Sequence, residues 1–100
     1  MKYGIEESEW AEIRQILSQT PAISEAILYG SRVKGTQKPF SDVDMTLVGD
    51  QLTEEDLTDV QFRLSESLLP YFFDVSLYKN LKTPELIERI KRRGQVVYKQ

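Results

Sequence analysis

A chain of 100 residues, 40% hydrophobic and 29% charged, has the scale of one small globular domain, expected over residues 1–100, with no room for separate catalytic and substrate-binding domains. Cysteine and histidine are both absent, so disulfides and thiolate or imidazole metal ligands are excluded; any metal must be held by oxygen, which favours magnesium, manganese or calcium over zinc. The net charge of −3 argues against a generic nucleic-acid coat, no apolar run approaches membrane-spanning length, and Met1–Glu7 lacks the apolar region of a secretory signal, so a cytoplasmic protein off the membrane is expected, with nucleic acid left open.

In chain order, residues 6–19 read as a helix, with Trp10, Ile13, Ile16 and Leu17 at helical spacing and Pro21 barring its continuation. The short apolar run 25–29 suits a buried strand ending at Gly30. Gly30 to Gly35 turns and opens a short helix, Lys38-Pro39-Phe40 reads as loop, and 43–48 is a second strand closed by Gly49-Asp50. Thr53 followed by Glu54-Glu55-Asp56 is a helix start, the threonine capping free N–H groups and the acids suiting the positive end. Leu57, Val60, Leu64 and Leu68 mark one face of that helix to about residue 69, where Pro70 stops it. Residues 72–78 return to strand character. Thr83-Pro84-Glu85 opens a last helix with Leu86, Ile87 and Ile90 inward and Gly94 as C-terminal cap; residues 95–98 form a short final strand. This alternation argues for a layered α/β domain with helices against a sheet, the strand order and sense staying open.

Charge is unevenly placed. Residues 76–100 carry seven cationic side chains against two acidic ones, a local balance of +5. Lys91-Arg92-Arg93 suits the C-terminal end of a helix, where cations favour the dipole, and the same tail could face an anionic partner.

Asp42 and Asp44, two apart at the entry to a strand, project to one side, and Val43, Met45 and Leu47 to the other. Two carboxylates side by side repel unless a cation stands between them, although an Asp-x-Asp alone equally fits a solvated strand end. Asp74 interrupts the apolar run Phe73, Val75, Leu77, where burying it unpaired is costly. Should its strand lie beside that of Asp42 and Asp44, three carboxylates converge as a ligand set for one or two magnesium ions; a salt bridge is the competing explanation. Gly30 allows close backbone approach to a ligand, the N–H groups of the following helix and the Ser31 hydroxyl can hold phosphate oxygens, and Arg32 and Lys34 add positive charge. Gly35 is followed by Thr36-Gln37, so this is not a Walker A loop. An EF-hand is excluded by the alternating apolar strand and the lack of glycine at its sixth place. A glycosyltransferase Asp-x-Asp site leaves Gly30-Ser31 unexplained and needs a larger domain.

Gly30-Ser31-Arg32-Val33-Lys34-Gly35, then Ser41-Asp42-Val43-Asp44, then Asp74 on a later strand, resembles the minimal nucleotidyltransferases (MNT) of the DNA polymerase beta superfamily, across nearly the whole chain. The resemblance implies the nucleotidyltransferase fold, a small mixed β-sheet of α/β (α+β) class with helices packed mainly on one face. It implies Asp42, Asp44 and Asp74 as catalytic and metal-binding residues, holding two Mg2+ ions or Mn2+, and Gly30, Ser31, Arg32 and Lys34 around the nucleotide phosphates. It implies transfer of a nucleoside monophosphate, AMP from ATP, to a hydroxyl on a partner protein. Family members of this length are the antitoxin half of a two-gene pair whose other half is a small helical HEPN-type protein, so a hetero- or homo-oligomer is expected. Tyr71, Phe72 and Tyr78 are candidate partner contacts, or core. The alternative is a non-catalytic binding module that neutralises its HEPN-type partner by forming a complex.

Overall fold

The structure, a computed structural model, describes residues 1–38 and 41–100; Pro39 and Phe40, expected in a loop, lie outside it. The chain starts with a tight turn in which Lys2 and Ile5 exchange backbone hydrogen bonds of 3.0 and 3.1 Å, with Tyr3 and Gly4 at positive φ. Helix α1 (Glu7–Leu17) follows. Its start is set by the Glu6 N–H donating to Glu9 Oε1 at 3.0 Å, one helix-end donor satisfied by a side chain. Trp10, Ile13, Ile16 and Leu17 are its buried stripe. The helix is two residues shorter at its end than the expected 6–19: Ser18 Oγ donates to the Gln15 carbonyl, and the N–H groups of Gln19 and Thr20 turn back to Ile16 and Leu17 ahead of Pro21.

The remaining elements are β1 (Glu25–Tyr29), α2 (Ser31–Lys34), β2 (Val43–Val48), α3 (Glu54–Ser65), β3 (Phe73–Leu77), a 3-10 turn (Tyr78–Asn80), α4 (Pro84–Arg93) and β4 (Gln95–Lys99). The four strands form one mixed sheet in the order β3-β2-β1-β4. β1 is antiparallel to β2 and to β4, whereas β2 and β3 are parallel, joined by the crossover through α3.

Alternation divides the sheet into two unlike faces. Ala26 and Leu28 of β1, Val43, Met45 and Leu47 of β2, and Val75 and Leu77 of β3 are buried with Trp10, Ile13 and Leu17 of α1 and Val60 and Leu64 of α3 in one core. The opposite face carries two cross-strand rows, Tyr29–Asp44–Asp74 and Ile27–Thr46–Ser76. Thr46 is wholly buried there and accepts from Ser76 Oγ at 3.1 Å. α4 leans over this face: Ile90, its one fully buried residue, sits beside Ile27 outside the main core, with Leu86 and Ile87 half-buried. A register shift between Ala26 and Ile27 bulges β4 outward, and the Val97 carbonyl accepts from Arg14 Nε at 3.1 Å.

One local expectation is corrected and another is refined. α3 ends at Ser65 and not near residue 69, because Ser65 Oγ and Ser67 Oγ take the carbonyls of Phe62 and Leu64 at 2.7 and 2.6 Å, ending the ladder; Leu68, expected on the inner face, is 97% exposed. Gly94 caps α4 as expected, its N–H donating to the Ile90 carbonyl at 2.8 Å, though with φ −62° it does so without a left-handed turn. Its need is for space: a Cβ there would stand 2.6 Å from Ile27 Cγ2 and 2.5 Å from the Ile90 carbonyl oxygen.

These burials separate two leucines four residues apart. Leu64→Ala is expected to cost about 2–5 kcal/mol and Leu68→Ala less than about 0.5 kcal/mol in chemical denaturation. Equal costs would place the end of α3 later than Ser65.

Candidate active site

Gly30 ends β1 with φ 85° and ψ −153°, a region essentially reserved for glycine. A Cβ at this position would lie 2.5 Å from Asp44 Oδ2. The glycine is therefore required twice, for its backbone angles and for the close seat of a carboxylate on the next strand. One turn of helix, α2, follows, and Gly35 closes it at φ 75°.

Register does the rest. Tyr29 pairs with Asp44 and Asp44 with Asp74, so the two carboxylates stand side by side on neighbouring strands, with the phenol next to them. They line a cavity of about 260 Å³ between the open sheet face and α4, together with Tyr29, Gly30, Val33 and Lys34 on one side and Leu86, Arg89, Ile90 and Arg93 on the other. Asp44 is half-buried and Asp74 exposed. The burial cost expected for Asp74 thus does not arise, since β3 is an edge strand on an open face, and no ion pair involves it among the described residues. Asp42, one residue before β2, is exposed and outside the cavity lining. Among the described residues no three acidic side chains are gathered closely enough to hold a metal ion as they stand.

The electrostatics of the row are those of unneutralised acids. Burial, then the charge of Asp74, then that of Asp42 push the Asp44 carboxyl up to about 6, against the weaker pull of Arg32. The Tyr29 phenol is raised by burial, with Asp74 and Asp44 adding and a hydrogen bond with Ser76 opposing. The donors present are hard oxygens, the class that suits Mg2+ or Mn2+ and fits poorly with softer metals.

Arg32, expected to bind phosphate, is corrected. Its side chain points inward and is 3% exposed. Nε donates to the Asp42 carbonyl at 3.3 Å, Nη2 to the Ser41 carbonyl at 2.7 Å and Nη1 to the Tyr3 carbonyl at 2.9 Å. The guanidinium lies 5.0 Å from the Tyr71 ring centre, and Tyr71 in turn donates its hydroxyl to Glu9 Oε1 at 2.7 Å. Burial and that bond to Glu9 push the Tyr71 phenol up to about 12. Arg32 therefore fixes the backbone that carries Asp42 and does not face the cavity. Of the other phosphate candidates, Gly30 and Lys34 line the cavity and Ser31 does not. Ser31 sits half-buried at the first position of α2, its carbonyl accepting from the Thr36 N–H at 3.0 Å.

Arg89 and Arg93 are cavity residues that the motif reading left in a generic basic tail. Their signal was present: they are four apart, one helical turn, and out of step with Leu86 and Ile90 by three residues, which puts all four on adjoining strips of α4.

Residues 11–100 match the family model described as polymerase beta, nucleotidyltransferase. No curated protein matches the chain significantly. Among solved structures, the chain is similar to one in a toxin–antitoxin crystal structure with AMP-PNP, at TM-score 0.73 and 20% identity over 91% of this chain and 73% of the other. A chain of the toxin–antitoxin complex MntA-HepT gives 0.69 and 15% over 95% and 74%. One from the complex of a tri-AMPylated Shewanella oneidensis HEPN toxin with its MNT antitoxin gives 0.66 and 16% over 91% and 70%. At these identities the likeness is one of fold.

The raised Asp44 carboxyl has a signed consequence. Its ordinary value of 3.8 is lower than the folded one near 6, so the folded chain holds its proton more tightly. The stability this provides is complete below about pH 4 and is lost as pH rises through about 6. Asp44→Asn removes the charge, so its melting temperature should exceed that of the wild type at pH 7.5, with the advantage fading by pH 4. A pH-independent difference would show that Asp44 is not crowded by its neighbours.

Proposed function

The chain belongs to the polymerase beta nucleotidyltransferase family, and on that premise we propose that it transfers AMP from ATP to a hydroxyl of a partner protein, as the antitoxin half of a toxin–antitoxin pair with a helical HEPN-type toxin. The observation that carries the reading is the seating of Asp44 against Gly30 and beside Asp74, at the wall of one cavity on the open sheet face. The similar chains in complexes with AMP-PNP and with an AMPylated HEPN toxin support the choice of nucleotide and partner.

Asp44 and Asp74, with Asp42 two residues before Asp44, would hold Mg2+ or Mn2+, which would supply charge to the phosphate oxygens and to the attacking and leaving groups. Gly30 and Lys34 line the cavity beside the carboxylates, where the bare glycine backbone and the lysine charge would face the phosphates. The acceptor hydroxyl oxygen attacks the α-phosphorus, the bond to the bridging oxygen of the β-phosphate breaks, and pyrophosphate leaves. Asp74, exposed at the sheet edge, is placed to take the hydroxyl proton or to orient the group that does. The cavity, about 260 Å³, is slightly smaller than the usual small-molecule site, so a nucleotide would fill it and the acceptor would come from another molecule.

A docking surface is available near this edge. Phe62, Leu68 and Phe72 are 62%, 97% and 79% exposed, and the groove lined by Leu64, Leu69, Pro70, Tyr71 and Phe73 adjoins them. Of the three aromatic residues singled out as contacts, Phe72 is therefore the exposed one, while Tyr71 and Tyr78 are half-buried. The second reading, a binding module that neutralises its partner without chemistry, is favoured by the open spacing of the acids among the described residues.

Incubation of the chain with the helical protein encoded beside it, Mg2+ and ATP, followed by intact mass measurement, separates the two. A gain of whole adenylyl units on the partner, lost in Asp44→Asn and Asp74→Asn, is the expected result. No gain, with a tight complex that survives both substitutions, leaves the binding module. Phe72→Asp together with Leu68→Asp should weaken the complex at least tenfold without lowering the melting temperature.

A further inference from the structure

We infer that Arg89 and Arg93 of α4 form a clamp for the polyphosphate tail of the nucleotide, facing Asp44 and Asp74 across the cavity; this rests on the nucleotidyltransferase reading of the same cavity.

Four observations carry it. Both arginines line the cavity whose other wall bears Gly30, Lys34, Asp44 and Asp74. They project from one strip of α4, four residues and about 6 Å apart, a spacing that suits adjacent phosphates. Neither is in an ion pair among the described residues, whereas their helix neighbour Arg92 bonds Glu88 at 3.5 Å. And they are forked donors suited to bidentate contact with phosphate oxygens, not merely point charges. Two carboxylates and two guanidiniums thus line one cavity without pairing with each other among the described residues. A metal–polyphosphate complex satisfies both sets together: the metal takes the carboxylates, and the phosphate oxygens left over take the arginines.

The remaining lining divides the ligand. Leu86, Ile90 and Val33 are apolar and Tyr29 offers an aromatic face, whereas Lys34, Arg89 and Arg93 are the cationic side chains among the lining residues. The clamp thus predicts that affinity depends on the number of phosphates far more than on the base.

The arrangement also replaces what Arg32 was expected to provide. With Arg32 committed to three backbone carbonyls, the loop after β1 contributes Lys34 alone as a charged side chain in the cavity. The charge to hold a tail of three phosphates comes from the other side, on a helix more than fifty residues later in the chain.

The test is equilibrium binding of ATP, ADP and AMP to the full chain with Mn2+, without a partner, for wild type, Arg89→Gln/Arg93→Gln, Arg89→Lys/Arg93→Lys and Asp44→Asn. The clamp requires wild type to bind ATP more tightly than AMP, and the double glutamine variant to lose at least tenfold for ATP and less than twofold for AMP. Inorganic tripolyphosphate should displace ATP from wild type and fail at the same concentration on the glutamine variant's residual site. The lysine variant should recover part of the loss, since charge is kept and the fork is not. Far-ultraviolet circular dichroism and melting temperature confirm that the exposed substitutions leave the fold intact. Equal ATP affinity in wild type and the glutamine variant overturns the clamp while leaving the nucleotidyltransferase reading standing. Absence of ATP binding by wild type, with or without Mn2+, overturns both.

Discussion

A buried cation with no carboxylate partner among the described residues holds one end of this domain together. Taking a guanidinium out of water costs several kcal/mol unless its donors are met and its charge is balanced. Arg32 meets the condition with the carbonyls of Tyr3, Ser41 and Asp42 and with the face of Tyr71. Those four groups come from the N-terminal turn, the segment entering β2 and the segment entering β3. Tyr71 extends the connection to Glu9 in α1, whose Oε1 also accepts from the Glu6 N–H. One side chain thus fixes the helix start, the N-terminal turn and the backbone of Asp42. The turn needs such support, since Tyr3 holds φ 56°, a conformation with a steric cost for a residue that has a Cβ.

The second constraint is the pairing of Gly30 with Asp44. The carboxylate occupies the space that a side chain at position 30 would need. Glycine here is a requirement of the fold itself, and burial first, then the like charges of Asp74 and Asp42, raise the Asp44 carboxyl. The molecule holds a strained, charged row on an otherwise ordinary α/β core. Such a row destabilises the folded protein slightly once Asp44 is ionised.

Much of this was legible from the residues. The four strands and three longer helices follow from apolar spacing, Pro21, Pro70 and Pro84, and the Thr53 cap, which the structure keeps as a reciprocal pair with Asp56 at 3.0 and 3.1 Å. The motif and the alternation of strand side chains singled out Gly30, Asp44 and Asp74, but that Asp74 stands beside Asp44 rested on strand order, which the sequence left open. What was not legible depended on tertiary position. Nothing local distinguishes Arg32 buried among carbonyls from Arg32 facing a phosphate, because its three acceptors lie 29, 9 and 10 residues away along the chain. Leu68 kept helical spacing, but the hydroxyls of Ser65 and Ser67 closed the helix before it. Arg89 and Arg93 needed knowledge of which sheet face α4 crosses, and a helix's amphipathic pattern says that it packs, not where.

The row Tyr29–Asp44–Asp74 draws its last member from the far side of a crossover. β1 and β2 are antiparallel neighbours and can zip together early, bringing Gly30 to Asp44. Asp74 joins only when β3 docks in parallel, after α3 has formed and the thirty residues from Asp44 to Asp74 have closed into a loop. The carboxylate pair is therefore absent from any intermediate that lacks β3, however complete its first half. The acidic row is thus completed in the same step as the edge of the sheet, which ties the wall of the cavity to closure of the crossover.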